Sequence, residues 1–272
     1  MNNPIVEKYF RMDNLPHIWC PGCGNGIIML ALAKAIDSLG LDKDKVCVVS
    51  GIGCSSRAPG YLDFNTLHTT HGRALAFATG VKLANPELEV IVISGDGDAS
   101  AIGGNHLIHA ARRNIGITTI VFNNNIYGMT GGQYSPTTPN GDLGTTAPHG
   151  NIDRPFDIAQ LAAAAGATYA ARSTVYHANQ MEKMIETAIA HKGFSMVEVI
   201  STCPTYYGRK NKKGSAANMI AFLKDSFIDV KVAEKLPEEK KAGKFLMGEF
   251  KKEEGVVEYT VAYESIIERL KK

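Results

Sequence analysis

Hydrophobic positions along the chain alternate between two spacings. Residues 26–40 and 71–85 carry apolar side chains at helical spacing, whereas residues 45–54 and 89–98 are short β-branched runs that end in glycine-rich turns. Strands that are apolar throughout and separated by helices are typical of a parallel sheet. We therefore predict an α/β fold in which a largely parallel sheet has helices on both of its faces.

The alternation continues through three more helical patterns and then stops. The last strand is predicted over 194–203. From Asp229 onward opposite charges nearly balance and hydrophobic residues become fewer, which is typical of a solvated tail or of an arm on a partner subunit. Residues 1–228 are therefore predicted to form the functional domain, and residues 229–272 a C-terminal arm.

The residues that end two successive strand patterns are the first candidates for chemistry. Asp96 lies just beyond one predicted strand, and Asn124 lies just beyond the next. If these strands are neighbours, the two side-chain oxygens meet at the sheet edge, where they could hold Mg²⁺. Gly95 and Gly97 would let the backbone approach a diphosphate. The alternative interpretation is a tight turn that binds nothing.

Cysteines supply a second candidate site. Cys20 and Cys23 stand three positions apart across a Pro-Gly turn, a spacing shared by zinc sites, disulfides and iron–sulfur clusters. An odd total of five cysteines favours metal binding or redox catalysis over a disulfide framework. Cys54 and Cys203 each follow a predicted strand, whereas Cys47 lies inside one and is predicted to be a small core residue. A four-cysteine zinc site stays open, because ligand identity alone fits either metal.

Composition narrows the class of protein. Lys plus Arg at 29 and Asp plus Glu at 27 leave a net charge of +2, which argues against a nucleic-acid or acidic membrane surface as partner. No apolar run approaches the roughly 18 residues of a membrane span, and the N-terminal segment lacks the pattern of a secretion signal. We therefore expect a cytoplasmic protein with small-molecule and protein partners.

The longest motif is GDGDASAIGGNHLIHAARRN with the later VFNNNIYGMTGGQ, and it resembles the thiamine-diphosphate motif. With WCPGCG, GIGCSSR, HTTHGRALAFATGVKLANP and CPTYYGRKNKKGSA, the chain is similar to the β subunit of the 2-oxoacid:ferredoxin oxidoreductases over about residues 17–218. The ending TYYGRKNKKGSA looks most like that of the 2-oxoglutarate synthases, whose product is succinyl-CoA. The resemblance implies the thiamine-diphosphate-binding fold.

The resemblance also implies a set of site residues, each matched by motif. Mg²⁺ would be bound by Asp96, Asn124 and the carbonyl of Ile126. A [4Fe–4S] cluster would be bound by Cys20, Cys23, Cys54 and Cys203. The substrate pocket would be bordered by Arg57 and Met129. The thiamine cofactor would be contacted by Ile52, Gly53, Cys54, Ser55, His71, Gly72, Gly97, Asp98, Gly128 and Met129.

An enzyme of this family needs partners. It decarboxylates a 2-oxoacid, passes the electrons one at a time through the cluster to ferredoxin, and transfers the acyl group to coenzyme A. The glutamate that activates thiamine diphosphate lies on a separate pyrimidine-binding domain, which this chain lacks. The resemblance therefore implies an α subunit that supplies it, is compatible with additional small subunits, and predicts that this subunit alone is inactive.

Arg57 favours 2-oxoglutarate as the substrate. Its guanidinium can bind the distal carboxylate, which pyruvate lacks, unless it merely pairs with a neighbouring acid or a backbone carbonyl. A β subunit acting on pyruvate or on many 2-oxoacids is the first alternative. More distant alternatives are a thiamine-dependent carboligase or decarboxylase and a non-catalytic zinc-binding scaffold subunit.

Overall fold

The centre of the protein is an eight-stranded sheet, seen in a computed structural model that describes residues 3–271. Residues 1, 2 and 272, which end the two predicted segments, lie outside this range. The strands are β1 (Val46–Ser50), β2 (Asn65–His68), β3 (Glu89–Gly95), β4 (Ile117–Asn123), β5 (Ile126–Tyr127), β6 (Gln133–Tyr134), β7 (Tyr169–Thr174), β8 (Ser195–Ile200), β9 (Phe227–Asp229) and β10 (Phe245–Lys252). All of these except the small β5–β6 hairpin belong to the main sheet.

The helices alternate with these strands, as the hydrophobic pattern predicts. They are α1 (Pro4–Tyr9), α2 (Asn25–Ser38), α3 (Ala58–Tyr61), α4 (Ala74–Ala84), α5 (Gly104–Arg113), α6 (Ile158–Ala164), α7 (Ala178–Ala190), α8 (Ala216–Ser226), α9 (Val230–Ala233), α10 (Glu238–Lys241) and α11 (Tyr259–Leu270). Two short π-helical turns, Asp98–Ile102 and Pro204–Gly208, follow the ends of β3 and β8. Within residues 3–271, no helix is both long enough and apolar enough to cross a membrane.

The order of the strands explains why the site residues meet. The sheet runs β2-β1-β3-β4-β8-β7-β10-β9, and every neighbouring pair is parallel except β7 with β10. The largely parallel sheet predicted from the sequence is therefore confirmed. Because β1, β3, β4 and β8 are adjacent and parallel, the loops that follow them lie at one edge.

Helices cover both faces of the sheet, and each face has its own core. One core packs α2 and α7 against the sheet through residues such as Ile28, Leu32 and Ile185, which are fully buried. The other packs α4, α5 and α6 and contains Cys47, which is 8% exposed. The prediction that Cys47 is a core residue is confirmed. Burying each large aliphatic side chain contributes about 1.5–3 kcal/mol to folding.

The C-terminal segment differs from the prediction. The strand predicted over 194–203 is not the last one, because β10 pairs antiparallel with β7 and β9 pairs parallel with β10. β10 reads FLMGEFKK, with its charged residues in the second half and only Met247 and Gly248 buried, as suits a half-buried strand near the edge of a sheet, and these charges hid the strand in the charged composition. Residues 229–272 are therefore not a free tail; that they contact a partner subunit stays a prediction.

Glu258 fastens the final helix to the sheet. Its Oε1 accepts a hydrogen bond from the backbone N–H of Gly116 at 2.6 Å, just before β4. Its Oε2 accepts from the backbone N–H groups of Thr260 (2.7 Å) and Val261 (3.1 Å), so Glu258 also caps the N-terminus of α11. One buried carboxylate thus joins the end of the chain to its centre.

We expect Glu258→Ala to loosen α11 without unfolding the domain. The loss of the cap and of the bond to Gly116 should lower the free energy of unfolding by about 1–2 kcal/mol. Amide hydrogen exchange should become faster over residues 259–270, whereas Glu264→Ala, an exposed change on the same helix, should leave both measurements unchanged. Equal exchange in the two variants would show that Glu258 does not hold the helix.

Candidate cofactor and cluster site

Asp96 and Asn124 are brought together at the carboxyl edge of the sheet. They directly follow β3 and β4, which are hydrogen-bonded neighbours. Asp96 is 3% exposed, and its Oδ2 accepts hydrogen bonds from the hydroxyls of Ser135 (2.5 Å) and Thr137 (2.7 Å). Burial raises the pKa of Asp96 to about 6, although these hydroxyls and nearby backbone N–H groups oppose the rise. A bound cation would stabilise this buried carboxylate.

The arrangement suits the predicted magnesium ligands. Oδ1 of Asp96 accepts no hydrogen bond from any side chain within the described residues, so it can face a cation. Asn124 is partly buried and its Oδ1 accepts from the N–H of Ile126 at 3.2 Å, which leaves a second lone pair. Asn125, at φ +60°, turns the chain between them, a conformation that asparagine tolerates. The ligand set fits Mg²⁺ and stays a prediction.

Asp98 has a different role from that of Asp96. Its carboxylate is 2% exposed and accepts hydrogen bonds from the N–H of Gly72 (2.6 Å), the hydroxyl of Ser94 (2.7 Å) and the N–H of Ile52 (3.3 Å). Nδ1 of His71 lies 2.7 Å from Oδ1 but is not aligned for a hydrogen bond. The side chain therefore joins three site loops. Because both carboxylate oxygens of Asp98 already accept hydrogen bonds, we expect its predicted contact with a diphosphate to be made by the main chain.

Small residues line the site around the Asp98 carboxylate. A Cβ on Gly97 would lie 2.2 Å from the ring of Tyr127, and a Cβ on Gly51 would lie 2.1 Å from Oδ2 of Asp98, so neither position accepts a side chain without rearrangement. The hydroxyl of Ser55 is buried and has no partner among the described residues. An unsatisfied buried hydroxyl beside a glycine-lined strand end fits a polar ligand.

Three loops carry the four predicted cluster cysteines, and all four are free thiols. Cys20 is exposed, Cys54 is partly buried, and Cys23 and Cys203 are buried. Hydrogen bonds tie the loops together: from Nε1 of Trp19 to the carbonyl of Cys54 (2.7 Å), from the N–H of Thr202 to the carbonyl of Cys23 (3.1 Å), and from the hydroxyl of Thr205 to Sγ of Cys20 (3.2 Å). The four cysteines therefore lie in one connected region.

Gly128 links this region to the Asp96 side of the site. A Cβ at Gly128 would lie 3.4 Å from Sγ of Cys54, 3.5 Å from Sγ of Cys203 and 3.8 Å from Nδ2 of Asn124. Burial, followed by the neighbouring cysteines, raises the pKa of Cys54 to about 11. Within residues 3–271, no three histidine, cysteine, aspartate or glutamate side chains could hold a single metal ion. The cluster ligands stay a prediction.

The remaining predicted residues lie on the same loops. Arg57 is exposed and makes no ion pair or hydrogen bond through its side chain in the part of the chain that the structure describes. Ile52 and Met129 are 42% and 40% exposed, which is unusual for large apolar side chains and suits contact with a ligand or a partner. Their roles toward a cofactor or substrate stay predictions.

Sequence reasoning missed Ser135 and Thr137, the two hydroxyls bound to Asp96. They lie 39 and 41 positions after it in the chain. The stretch YSPTTP holds Ser135, Thr137 and Thr138 next to two prolines, and this was the one available signal that the loop is ordered and polar.

Comparisons with known proteins agree with this geometry. Residues 51–199 match the family described as thiamine pyrophosphate enzyme, C-terminal TPP binding domain. The 2-oxoglutarate synthase subunit KorB of Methanothermobacter marburgensis is 54% identical over 248 residues, 91% of this chain and 87% of the relative. Its counterpart in Methanocaldococcus jannaschii is 53% identical over 264 residues, 97% of each chain.

A solved structure is also similar. It is described as 2-oxoglutarate:ferredoxin oxidoreductase from Magnetococcus marinus with 2-oxoglutarate, coenzyme A and succinyl-CoA bound. The two chains are 34% identical and superpose with a TM-score of 0.87, over 100% of this chain and 92% of the other. The similarity therefore extends to the C-terminal strands, which the family match to residues 51–199 does not include.

We expect Asp98→Ala to destabilise the protein even without any cofactor. Two backbone N–H groups and one hydroxyl would lose their buried acceptor, which should lower the free energy of unfolding by about 2–4 kcal/mol. Denaturant titration of the cofactor-free full chain measures this, with Asp13→Ala, an exposed change, as the control. A residue that served only to contact a diphosphate would give no loss in the cofactor-free protein.

Proposed function

We propose, because the chain belongs to the thiamine pyrophosphate enzymes and within them to the family of 2-oxoglutarate synthase β subunits, that it is the β subunit of a CoA-acylating 2-oxoacid:ferredoxin oxidoreductase. The proposed reaction converts 2-oxoglutarate, coenzyme A and oxidised ferredoxin to succinyl-CoA, carbon dioxide and reduced ferredoxin. The observation that carries the proposal is the closeness of two sites: a Cβ at Gly128 would lie within 4 Å of Nδ2 of Asn124 and of the sulfurs of Cys54 and Cys203.

The chain's own residues prepare the cofactor side. Oδ1 of Asp96, Oδ1 of Asn124 and the carbonyl of Ile126 would hold Mg²⁺, and the unpartnered hydroxyl of Ser55 would meet a polar group of the ligand. Thiamine diphosphate, when bound, supplies a nucleophilic carbon for the keto group and a sink for the electrons left when carbon dioxide departs. Asp98 contributes by holding the surrounding loops in place.

The cysteine loops prepare the exit for these electrons. Cys20, Cys23, Cys54 and Cys203 would bind a [4Fe–4S] cluster, which takes four thiolates and accepts single electrons. Cys54 is in the loop that also carries Ser55, so one loop serves both groups. This short connection is what a carboligase or a simple decarboxylase does not need, and it favours the oxidoreductase over those alternatives.

Substrate preference is proposed to depend on Arg57. Its exposed guanidinium has no partner within the described residues, so it is free to bind the distal carboxylate of a dicarboxylic 2-oxoacid, with Met129 on the apolar side. The similar structure from Magnetococcus marinus is described with 2-oxoglutarate bound, which supports this choice. The alternative is an enzyme that prefers pyruvate or accepts many 2-oxoacids.

Partners complete the proposed enzyme. An α subunit would supply the glutamate on the pyrimidine side of the cofactor, and a ferredoxin would receive the electrons. Additional small subunits are compatible with the proposal. The relatives are named as subunits, which supports an assembly of several chains. We place the assembled enzyme in the cytoplasm, where a ferredoxin and coenzyme A are available to it.

We expect Cys203→Ser in the assembled complex to remove the cluster, because a hydroxyl replaces one of four thiolate ligands. Iron and sulfide per complex and the EPR spectrum of the reduced protein measure the loss. Cys47→Ser is the matched control, since Cys47 lies in the core on the other face of the sheet. A full cluster in the Cys203 variant, or a lost one in the Cys47 variant, would contradict the ligand assignment.

We expect Arg57→Ala to reduce kcat/KM for 2-oxoglutarate by about 10- to 150-fold, because a charge-assisted hydrogen bond is worth roughly 1.5–3 kcal/mol. Pyruvate has no distal carboxylate, so its turnover should barely change. The complex is assayed with coenzyme A and both acids, and Arg57→Lys is expected to retain part of the preference. Equal losses on both acids would assign Arg57 to the cofactor or the fold, and a parent enzyme that prefers pyruvate would contradict the 2-oxoglutarate assignment.

A further inference from the structure

We propose that Thr137 and Ser135 are positioning residues for the magnesium site, and that a buried polar chain through Asn123, Glu198 and Arg172 holds the turn that carries Asn124. The inference rests on the proposed function, because it concerns how Asp96 is presented to Mg²⁺. None of these five side chains belongs to the predicted ligand sets, and each of the five is at least nine-tenths buried.

Hydrogen-bond chemistry decides the direction of the bonds around Thr137. Its hydroxyl lies 2.7 Å from Oδ2 of Asp96 and 3.0 Å from Oδ1 of Asn123, and both of these oxygens only accept. One hydroxyl has one proton, so it can donate to only one of them. Oδ1 of Asn123 already accepts from the N–H of Asn125 at 3.0 Å, and Oδ2 of Asp96 is the nearer of the two oxygens to the hydroxyl of Thr137. The proton of Thr137 therefore goes to Asp96.

The hydroxyl of Ser135 donates to the same oxygen of Asp96, at 2.5 Å. Two hydroxyls on Oδ2 fix the rotation of the carboxylate about its Cβ–Cγ bond. Oδ1 is then the oxygen left for a cation. Thr138 adds a third tie, because its hydroxyl donates to the carbonyl of Asn125 at 2.6 Å and fastens the hydroxyl loop to the turn after β4.

Asn123 ties the turn after β4 to the sheet. Its Nδ2 donates to Oε1 of Glu198 at 2.7 Å, and a carboxylate cannot donate in return, so the orientation of the amide is determined. Its Oδ1 is then the atom that accepts from the N–H of Asn125, which holds the turn that carries Asn124. Since Asn123 ends β4 and Glu198 is in the adjacent strand β8, the amide is held between two strands that are buried throughout.

Arg172 balances the buried charge of Glu198. Its Nε donates to Oε2 of Glu198 at 2.8 Å, its Nη1 donates to the carbonyl of Leu246 in β10 at 3.1 Å, and its Nη2 pairs with Asp157. Although burial pushes the pKa of Asp157 upward, Arg172 outweighs burial and holds that pKa below its ordinary value. The polar chain thus extends from the Mg²⁺ edge to the C-terminal strand.

The test uses the assembled complex with Thr137→Val, which keeps the shape of the side chain and removes its hydroxyl. After metal and cofactor are removed by chelation, equilibrium dialysis at a fixed thiamine diphosphate concentration measures the Mg²⁺ concentration that gives half-maximal cofactor retention. We expect this concentration to rise about 10-fold or more, as is usual when a group that orients a metal ligand is lost. Ser135→Ala removes the other hydroxyl, is expected to act in the same way, and carries the test if the Thr137 variant does not assemble.

Two control variants separate positioning from folding. Thr119→Val removes a buried hydroxyl from β4 that has no hydrogen-bond partner within residues 3–271, so the variant should bind Mg²⁺ and cofactor like the parent. Thr137→Ser keeps the hydroxyl and should restore parent-like binding. A Thr137→Ser variant as weak as Thr137→Val would assign the effect to the methyl group and overturn the proposal.

The outcomes distinguish this proposal from the proposed function. A parent complex whose cofactor retention does not depend on Mg²⁺ would overturn the metal assignment itself, whatever the variants do. A parent that needs Mg²⁺, together with Thr137→Val and Ser135→Ala variants that need no more of it, would overturn only the positioning role.

Discussion

Parallel pairing of β1, β3, β4 and β8 is the constraint on which the whole site depends. Each of these strands delivers its following loop to the same edge, which is how Cys54, Asp96, Asn124 and Cys203 come from four separate parts of the chain to one region. Parallel strands need crossover connections and buried faces, and the helices on both faces supply these. The chemistry at the edge therefore rests on the two apolar cores beneath it.

Two buried aspartates, two positions apart, differ in how hydrogen-bond donors are arranged around their carboxylates. Asp98 receives donors on both oxygens, so its charge is satisfied within the protein and it holds loops together. Asp96 receives both of its side-chain donors on one oxygen. A buried carboxylate with one oxygen that no side chain binds is costly in isolation and becomes favourable when a cation binds. Asp96 therefore suits a metal ligand, and Asp98 does not.

The C-terminal segment belongs to the same physical unit. β10 joins β7, its Leu246 carbonyl accepts from Arg172, and Arg172 neutralises Glu198 beneath the turn that carries Asn124. Two of the four cysteines proposed as cluster ligands precede residue 51 and one follows residue 199, outside the segment matched to the thiamine pyrophosphate family. The iron–sulfur part of the proposed site is thus carried by the segments that flank the cofactor-binding core.

The sequence alone determined the order and type of most elements, because apolar periodicity is local and survives without tertiary context. It also placed Asp96, Asn124, Cys54 and Cys203 at strand ends and pointed to the right family through long motifs. Only the tertiary structure decided that the Asp98 carboxylate joins neighbouring loops, that β10 is a strand of the sheet, and that Ser135 and Thr137 donate hydrogen bonds to Asp96. These contacts join residues far apart in the chain, and they depend on which donors surround a buried charge, which no local pattern of hydrophobic and polar residues records.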